Sequence, residues 1–440
     1  MMRQVAVLAI VMAPLMVWGQ TGAGNVDDTL RDALRSSTLT YEGKPFHAVL
    51  EIAPGTSDRL EPAGAAYSGQ VEVWWASATR YRIAASSPDF TLDKTVDGTK
   101  VAESHTGTFY PQWLETFVRV FIDPVPTNLF TASSGVTLTG GPQSRTAEGF
   151  VLQQCINRDD RTNGITDQLT WGRVCFVTGE PWVDFVQTFN YFVSMKNFQP
   201  FGGKQIARDY ETSVRSYSPV AGHLSLLEPL NQADEAKITV AAAGAAQDVL
   251  ETKFVSTVEE ESMVEKAPKI VWPPVREGKT DGYMIVYART DVTGQVRETA
   301  KHNSDNPGLE HFGMEQALGY KFKPLLVDGH PVQMEMPLVL HFTSQISNPI
   351  PILTVEEMKP QIVSCKPELV PAGLLEKGAR PVVRVSVDEM GKTVGVQPIG
   401  NAPWGKMIRA WSSLDQCKFK PYLVDGKATY YKGDVELRVP

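Results

Sequence analysis

KFKPLLVDGH at residues 321–330 returns 97 residues later as KFKPYLVDGK at residues 418–427. The match extends beyond these ten residues, because DVTGQV at 291–296 corresponds to DEMGKT at 388–393 with the same separation. A constant separation means that no residue is gained or lost between the two matched pairs. The sequence therefore predicts one small structural unit that is built twice in the C-terminal part of the chain.

Each copy has the pattern of an antiparallel sheet with one helix. Val383, Val385 and Val387 alternate with polar residues, which is typical of a strand with one buried face. The D-x-x-G sequences that begin at Asp291 and Asp388 predict turns. We expect the order strand, turn, strand, helix, strand in both copies. The expected boundaries are residues 268–345 for the first copy and 362–440 for the second, with linkers at 231–267 and 346–361.

The N-terminal half reads as many strands separated by turns. GQVEVWW at 69–75 places Val71, Val73 and Trp75 on one strand face, and Asp97-Gly98 predicts a hairpin turn. The spacing of apolar residues changes to that of a helix at 109–124. We therefore expect a β-rich domain with helices at residues 25–230.

The first residues have the features of an export signal. Arg3 precedes an apolar run from Val5 to Trp18, and small residues follow it. The run is shorter than the roughly 20 residues that a membrane-spanning helix needs. We expect residues 1–24 to be a cleaved signal peptide, which predicts a periplasmic protein; the alternative is an uncleaved N-terminus that tethers the chain to the membrane.

Net charge bears on the expected partners, and the number of cysteines bears on the expected disulfides. The net charge of -8 provides no basic surface, so nucleic acid is not an expected partner. Four cysteines in an exported chain favour disulfides. Pairing of Cys155 with Cys175 and of Cys365 with Cys417 is the simplest of the three possible connectivities.

The duplicated unit resembles the C-terminal domain of the TonB family. The resemblance is carried by WPP at 272–274, the D-x-x-G turns, K-F-K-P, and the Asp-Gly pair before the last strand. The second copy departs from the pattern, since Leu369-Val370-Pro371 replaces the aromatic residue and proline. The resemblance implies a small domain that accepts a peptide as an added strand, and it supports the disulfide between Cys365 and Cys417.

Residues 25–230 resemble the LolA-like periplasmic lipoprotein-carrier fold. The resemblance is carried by GQVEVWWASATRYRI, FYPQWL and FGGKQIARDY. It implies a strongly curved antiparallel sheet, a half-barrel, closed by helices. The fold class expected of the whole chain is therefore α+β: this half-barrel, followed by two small TonB-like domains of antiparallel sheet plus helix.

The resemblance to TonB predicts where a peptide would pair. An exposed strand edge offers unpaired N–H and C=O groups that an extended peptide can satisfy. Pro337 would remove one such N–H group, so a blocked or purely structural edge is the alternative for the first copy. The candidate edge residues are Gln333, Met334, Glu335, Met336, Leu338 and Val339 in the first copy, and Tyr430, Tyr431, Val435 and Glu436 in the second.

Aromatic residues in the N-terminal half are candidates for an apolar ligand cavity. Ordinary core packing is the alternative, because aromatic side chains dominate core burial in any case. The chain has no metal-binding spacing of Cys and His and no H-E-x-x-H, G-x-S-x-G or P-loop motif, so we expect no enzyme, metal or cofactor. The candidate cavity residues are Trp74, Trp75, Tyr110, Trp113 and Phe117.

Taken together, these patterns predict an exported periplasmic protein-interaction module in cell-envelope transport or assembly. Its partner would be an envelope or outer-membrane protein, bound by strand addition. TonB itself needs a retained membrane helix and a proline-rich spacer, and the sequence has neither, which favours a binding module over an energy transducer. The alternative function is a carrier of lipid or another apolar ligand; an unrecognised hydrolase is a third.

Overall fold

A computed structural model describes the chain except for its first residues and several short stretches. The predicted signal peptide falls almost wholly outside the described residues, and the first described helix begins at Ala23. None of the helices within these ranges is long and apolar enough to cross a membrane. The described residues are 23–55, 67–125, 137–140, 144–146, 149–151, 154–159, 172–177, 180–188, 192–214, 218–239, 250–366, 368–371, 373–375, 379–403 and 407–439.

The chain divides into two compact units. The first copy of the repeat contributes residues to both of them, and the predicted domain boundaries stay a prediction. The first unit comprises Met1–Ile270, Ile285–Asn303 and Phe312–Leu340, and the second comprises Val271–Met284, Ser304–His311 and His341–Pro440.

The N-terminal half forms a large curved antiparallel sheet, which confirms the predicted β-rich domain. Twelve strands follow one another in the order β5-β4-β3-β2-β1-β14-β13-β12-β11-β10-β9-β6, and β7 and β8 form a separate hairpin. The strands are β1 Phe46–Pro54, β2 Gly69–Ser77, β3 Arg80–Ser87, β4 Phe90–Asp97, β5 Lys100–Thr106, β6 Thr137–Gly140, β7 Ser144–Thr146, β8 Gly149–Val151, β9 Gln154–Asp159, β10 Gly172–Phe176, β11 Val183–Thr188, β12 Phe192–Phe201, β13 Lys204–Val214 and β14 Ser218–Pro229.

Two helices pack against the apolar face of this sheet. Helix α1 spans Ala23–Ser37, and helix α2 spans Gln112–Ile122, within the stretch 109–124 that the sequence predicts as a helix. Helix α2 follows Pro111 and ends before Asp123, and apolar residues face the sheet along its length. A third, short helix, α3, spans Gln232–Glu235 after the last strand of the sheet.

Cys155 and Cys175 form a disulfide within the large sheet, as predicted. The two residues lie directly opposite each other on the antiparallel strands β9 and β10. Both cysteines are buried. The bond therefore ties together two neighbouring strands near one end of the sheet.

The first copy has the predicted order of elements. Its strands β17 and β21 are central, and a short preceding strand, β15, lies at one edge of the sheet in the order β15-β21-β17-β18. The elements are β15 Thr252–Phe254, α4 Thr257–Met263, β16 Val264–Lys266, β17 Asp281–Thr290, β18 Val296–Ser304, a 3-10 turn Pro307–Leu309, α5 Glu310–Ala317, β19 Lys321–Phe322, β20 Leu325–Val327 and β21 His330–Thr343.

The second copy repeats this topology with shorter elements. Its sheet has the order β22-β29-β24-β25, in which β22, β29, β24 and β25 correspond to β15, β21, β17 and β18. The elements are β22 Ile352–Leu353, α6 Val355–Met358, a 3-10 turn Lys359–Gln361, β23 Ile362–Ser364, β24 Val382–Val387, β25 Thr393–Pro398, α7 Ile408–Ser412, a 3-10 turn Ser413–Gln416, β26 Lys418–Phe419, β27 Tyr422–Val424, β28 Lys427–Thr429 and β29 Tyr431–Glu436.

The repeated D-x-x-G and K-F-K-P motifs are parts of one local structure. In the first copy, the Asp291 carboxylate accepts the backbone N–H groups of Thr293 and Gln295, which fixes the turn. Gly294 then adopts a φ of 83°, and its carbonyl oxygen accepts the N–H of Phe322 at 2.8 Å. A side chain at Gly294 would collide with the Phe322 backbone, so only glycine fits.

The second copy builds the same structure with different side chains around it. The Asp388 carboxylate accepts the N–H groups of Met390 and Lys392, and the Gly391 carbonyl oxygen accepts the N–H of Phe419 at 2.8 Å. The constant separation of the two motifs in the sequence therefore has a structural cause: the turn and the K-F-K-P segment are hydrogen-bonded to each other in both copies.

The predicted disulfide between Cys365 and Cys417 is also confirmed. It joins the residue after β23 to the residue before β26, and these two strands are paired with each other. Cys417 is buried in the apolar core of the second copy. The disulfide therefore holds the segment that precedes the copy against the K-F-K-P segment.

Candidate functional site

The apolar interior of the large sheet is built by strand alternation. On β1, the buried residues Phe46, Ala48, Leu50 and Ile52 point to one face, and the residues between them point away. Helix α2 lies over this face and buries Phe117 completely. Gly222 on β14 allows that close approach, because a Cβ there would lie 2.9 Å from the Phe117 ring.

A cavity of about 230 Å³ remains beside the end of helix α2. It lies where helix α1, the last residues of α2 and strand β2 meet, and most of its surface is apolar. Thr38, Thr40 and Asp123 supply the polar part. The complete lining is Leu34, Thr38, Thr40, Tyr41, Trp75, Ala78, Ile122, Asp123, Pro124 and Val125.

The aromatic residues predicted to form one cavity do not all lie together. Trp75 lines the cavity, and Trp113 and Phe117 belong to the surrounding apolar core. Tyr110 lies at the border of this core, where its ring stacks on that of Phe90 at a centroid distance of 4.8 Å. Trp74 does not share the interior, because adjacent residues of a strand point to opposite faces and its neighbour Trp75 points inward.

Trp74 instead belongs to a charged cluster on the outer face of the sheet. Its ring stacks on His47 at 5.4 Å, and His47 Nε2 lies 2.8 Å from a Glu72 oxygen. Lys237 lies over the Trp74 ring and pairs with Asp234 at 2.8 Å. This network connects helix α3 to the sheet.

Part of this cluster could hold a metal ion. One ligand atom each from His47, Glu228 and Asp234 lies within 4.8 Å of the others. Lys237 already neutralises Asp234, and its hydrogen bond is the largest cause that lowers the pKa of that carboxyl. The contacts of this cluster are therefore those of an ion-pair network on the outer face of the sheet.

A larger depression of about 420 Å³ lies over strands β2 to β5. Its lining mixes polar side chains, among them Glu72 and Asp93, with the apolar Ala84, Ala85 and Leu92. The Thr91 and Thr106 hydroxyl groups are hydrogen-bonded to each other at 2.7 Å.

Helix α2 also makes polar contacts with strands of the first copy, within the first unit. Arg289 on β17 is almost fully buried, and its Nη2 lies 2.6 Å from Glu115 Oε2 on α2. The same nitrogen donates to the Thr252 hydroxyl at 2.8 Å. The Gln333 side chain on β21 accepts the backbone N–H of Tyr110. The segment that carries α2 is thus anchored by buried hydrogen bonds and by one buried ion pair.

The predicted peptide-pairing edge of the first copy is partly covered. Strand β15 runs parallel to β21 and pairs with Gln333, Met334 and Glu335 only. Strand β21 continues for a total of 14 residues, so the predicted residues Met336, Leu338 and Val339 lie beyond the part that β15 covers. Gln333 donates its N–H outward, to Glu251. By alternation, the nitrogens of Pro337 and Val339 lie on that outer side as well.

The corresponding edge of the second copy is covered more completely. Strand β22 pairs with β29 at Lys432 and Gly433, and Val370 donates its N–H to the carbonyl of Arg438. Of the predicted residues, Tyr431 is fully buried and donates its hydroxyl to Lys420. Val435 and Glu436 lie on β29, opposite β24, and Tyr430 precedes the strand.

The covering strands β15 and β22 are the elements that sequence reasoning missed. Strands of three and two residues are too short to show alternation. A signal was present nevertheless: each is followed by a capping box, Ser256 with Glu259 and Thr354 with Glu357. The S/T-x-x-E pattern predicts the start of a helix, so the two short helices could have been found within the stretches assigned to linkers.

No protein family and no curated protein matches this chain. Among solved structures, it is similar to a LolA superfamily protein from Nitrosomonas europaea, with 7% identity and a TM-score of 0.29 over 47% of this chain and 94% of that one. It is also similar to a DUF1329 family protein from Desulfovibrio piger, with 8% identity and a TM-score of 0.29 over 49% of this chain and 97% of that one. At these TM-scores the similarities assign no function to the chain.

Proposed function

We propose that the chain is a binding protein that takes up an apolar ligand, such as the acyl chain of a lipid, inside its N-terminal sheet. The observation that carries the proposal is the apolar cavity of about 230 Å³ between α1, β2 and the end of α2. Pockets for whole small molecules typically measure about 300–1,000 Å³. The cavity therefore suits one segment of an acyl chain, with the polar end of the ligand near Thr38, Thr40 and Asp123.

Burial of apolar surface would provide the binding energy. Each Å² of apolar surface removed from water contributes roughly 25 cal/mol. The half-buried Tyr41 and Ile122 and the exposed Ala78 offer such surface to a ligand, and the proposal needs no residue of the lining to ionise or react. The proposal therefore includes no catalytic step and no cofactor.

A substitution that blocks the mouth of the cavity tests the proposed ligand binding. Ala78 lines the cavity and is exposed, so Ala78→Trp should fill the mouth without disturbing the core. Thr79→Trp is the matched control, because Thr79 is also exposed but does not line the cavity. Titration with dansyl-labelled undecanoic acid should give saturable binding by the native chain and by the control. Ala78→Trp should weaken it at least about tenfold, or about 1.4 kcal/mol. Absence of saturable binding, or equal binding by the two variants, would contradict the proposal.

A second candidate function is peptide binding at the first copy, as the resemblance to TonB C-terminal domains implies. The observation that favours it is the outer side of β21 between Glu335, where β15 ends, and His341, whose carbonyl oxygen accepts the indole N–H of Trp272. A peptide from an envelope or outer-membrane protein could pair there as an added strand. Pro337 would interrupt the ladder, since proline has no N–H group.

Two substitutions of opposite effect test this candidate. Pro337→Ala adds an outward N–H group and should strengthen retention of a partner on the immobilised chain. Val339→Pro removes one and should abolish it. A detergent extract of outer membranes is the source of partners. If a retained protein is indifferent to both substitutions, strand addition at β21 is not the mode of binding.

We also propose that the protein acts in the periplasm, after removal of its first residues. The support is the apolar run of the N-terminus together with two disulfides, which persist in oxidising compartments. Sequencing the N-terminus of the mature protein tests this point. A mature chain that still begins at Met1 would favour the membrane-tethered alternative.

A further inference from the structure

Each copy is preceded by a segment of the same design. In the first copy it consists of β15, α4 and β16, and in the second of β22, α6 and β23. Both segments carry a capping box at the start of the helix. Both also place their first strand parallel to the last strand of the copy, on its outer side. In both copies the helix therefore directly follows the strand that covers the edge.

The two helices differ at their most buried position. Counted from the capping residue, Met358 in the second copy corresponds to Glu260 in the first. Met358 is 1% exposed and belongs to the apolar core of the second copy. Glu260 is 7% exposed. An ionisable side chain thus occupies in one copy the place that an apolar anchor occupies in the other.

The residue on the opposing strand also differs between the two copies. Met358 packs against Gly433 so closely that a Cβ there would collide with it. The repeat aligns Gly433 with Met336, which is fully buried in the first copy. In the second copy the large side chain at this place is Met358 of the helix, and in the first copy it is Met336 of the strand. The place that Met358 fills over Gly433 in the second copy therefore corresponds, in the first copy, to the pair Glu260 and Met336.

The surroundings of Glu260 favour its neutral form. Burial is the larger cause and the carboxylate of Glu261 the smaller one, and together they raise the pKa of Glu260 to about 7. The other titratable or charged groups of the elements next to α4 are Lys253 on β15, Glu265 and Lys266 on β16, Tyr320, Lys321 and Lys323 around β19, and Glu335 on β21. Lys321 pairs with Glu265 at 3.3 Å, and Glu335 accepts a hydrogen bond from Tyr287.

We propose that ionisation of Glu260 releases α4 and β15 from the first copy, so that the edge of β21 at Gln333–Glu335 opens as the pH rises, whereas Met358 keeps the second copy closed. The physical reason is that a charged carboxylate is far more costly to bury than a neutral one. Loss of the helix anchor removes the support of the adjoining strand. This pH-dependent opening does not depend on the proposed ligand cavity.

Amide hydrogen exchange of the full chain tests the proposal. Protection factors are compared at about pH 5.5 and about pH 8.5, after correction for the intrinsic exchange rate. A carboxyl with a pKa near 7 in the closed form and near 4.5 in the open form predicts a loss of protection of about 30-fold over that interval. The loss should appear in peptides that cover Thr252–Met263. Peptides that cover Ile352–Met358 in the same molecule serve as the internal reference and should change less than about 3-fold.

Substitutions separate this effect from general loosening of the first copy. Glu260→Gln cannot ionise, so its protection should be the same at both pH values. Glu260→Met places at this position the methionine that the second copy has. It is a second variant that cannot ionise, for use if Glu260→Gln does not fold. Glu261→Gln is the matched control at an exposed neighbour and should keep most of the pH dependence. Equal pH dependence in the native chain and in Glu260→Met, or equal change in both copies, would overturn the proposal.

Discussion

Removal of the buried ion pair between Glu115 and Arg289 should strongly destabilise the first unit. Arg289 is 1% exposed and Glu115 is 23% exposed, and their charged atoms are 2.6 Å apart. Loss of one partner of a buried pair leaves the other charge uncompensated, at a cost of about 3–5 kcal/mol. Because water reaches part of Glu115, we expect Arg289→Met to cost about 3 kcal/mol, the lower end of that range.

The pH dependence of this contribution follows from Glu115. Burial alone would raise the pKa of its carboxyl, but the charges of Arg289 and Arg119 outweigh burial and lower the pKa from 4.5 to about 2. At 1.36 kcal/mol per pKa unit, this difference corresponds to about 3 kcal/mol, and solvent screening reduces it to about 2. Since the folded pKa lies below the unfolded one, the stabilisation is present above about pH 4.5 and is lost as the pH falls toward 2.

Urea unfolding followed by tryptophan fluorescence measures both effects. Arg119→Met is the matched control, because Arg119 pairs with the same carboxylate across one helical turn but is 41% exposed. It should cost no more than about 0.5 kcal/mol. A double-mutant cycle of Glu115→Gln and Arg289→Met should give a coupling of about 2 kcal/mol. Equal losses for the two arginine variants, or a coupling near zero, would refute this reasoning.

Other predictions concern the turn glycines, the disulfides and maturation. Gly294→Ala should lower the free energy of unfolding by more than about 2 kcal/mol, because a Cβ would collide with the K-F-K-P segment. Gly98 also has a positive φ but has open space around it, so Gly98→Ala should cost only about 1 kcal/mol. Thermal denaturation measures both. Loss of the bond between Cys365 and Cys417 in the double variant Cys365→Ala, Cys417→Ala should destabilise the second copy by about 4 kcal/mol, measured by urea unfolding; an unchanged midpoint would argue against a structural role. The mature protein should lack residues 1–24, which intact mass spectrometry can check.

Local patterns predicted the repeated unit well, because its motifs are held together by short-range geometry. The D-x-x-G turn depends on an aspartate that accepts nearby N–H groups and on a glycine with positive φ, and both are visible in the sequence. Alternation likewise predicted the strands of the large sheet. The same alternation separates Trp74 from Trp75, so the grouping of these two residues in one cavity contradicted a rule that the sequence already displayed.

Long-range contacts could not be predicted in this way. Glu115 and Arg289 are 174 positions apart, and neither has a neighbouring motif that marks it as buried. The coverage of the β21 edge depends on three residues, Thr252–Phe254, which are too few to show a period. A cavity is the space that packing leaves unfilled, so its lining follows from the fold and not from any one segment.

The most direct test of the account is to find where an acyl chain binds. A fatty acid that carries a photoreactive diazirine near its methyl end is bound to the full chain and irradiated, and the modified peptides are identified by mass spectrometry. The account predicts modification at Leu34, Tyr41 or Ile122, which line the cavity, and its suppression by Ala78→Trp. Modification confined to other surfaces, or unchanged by Ala78→Trp, would contradict binding inside the sheet.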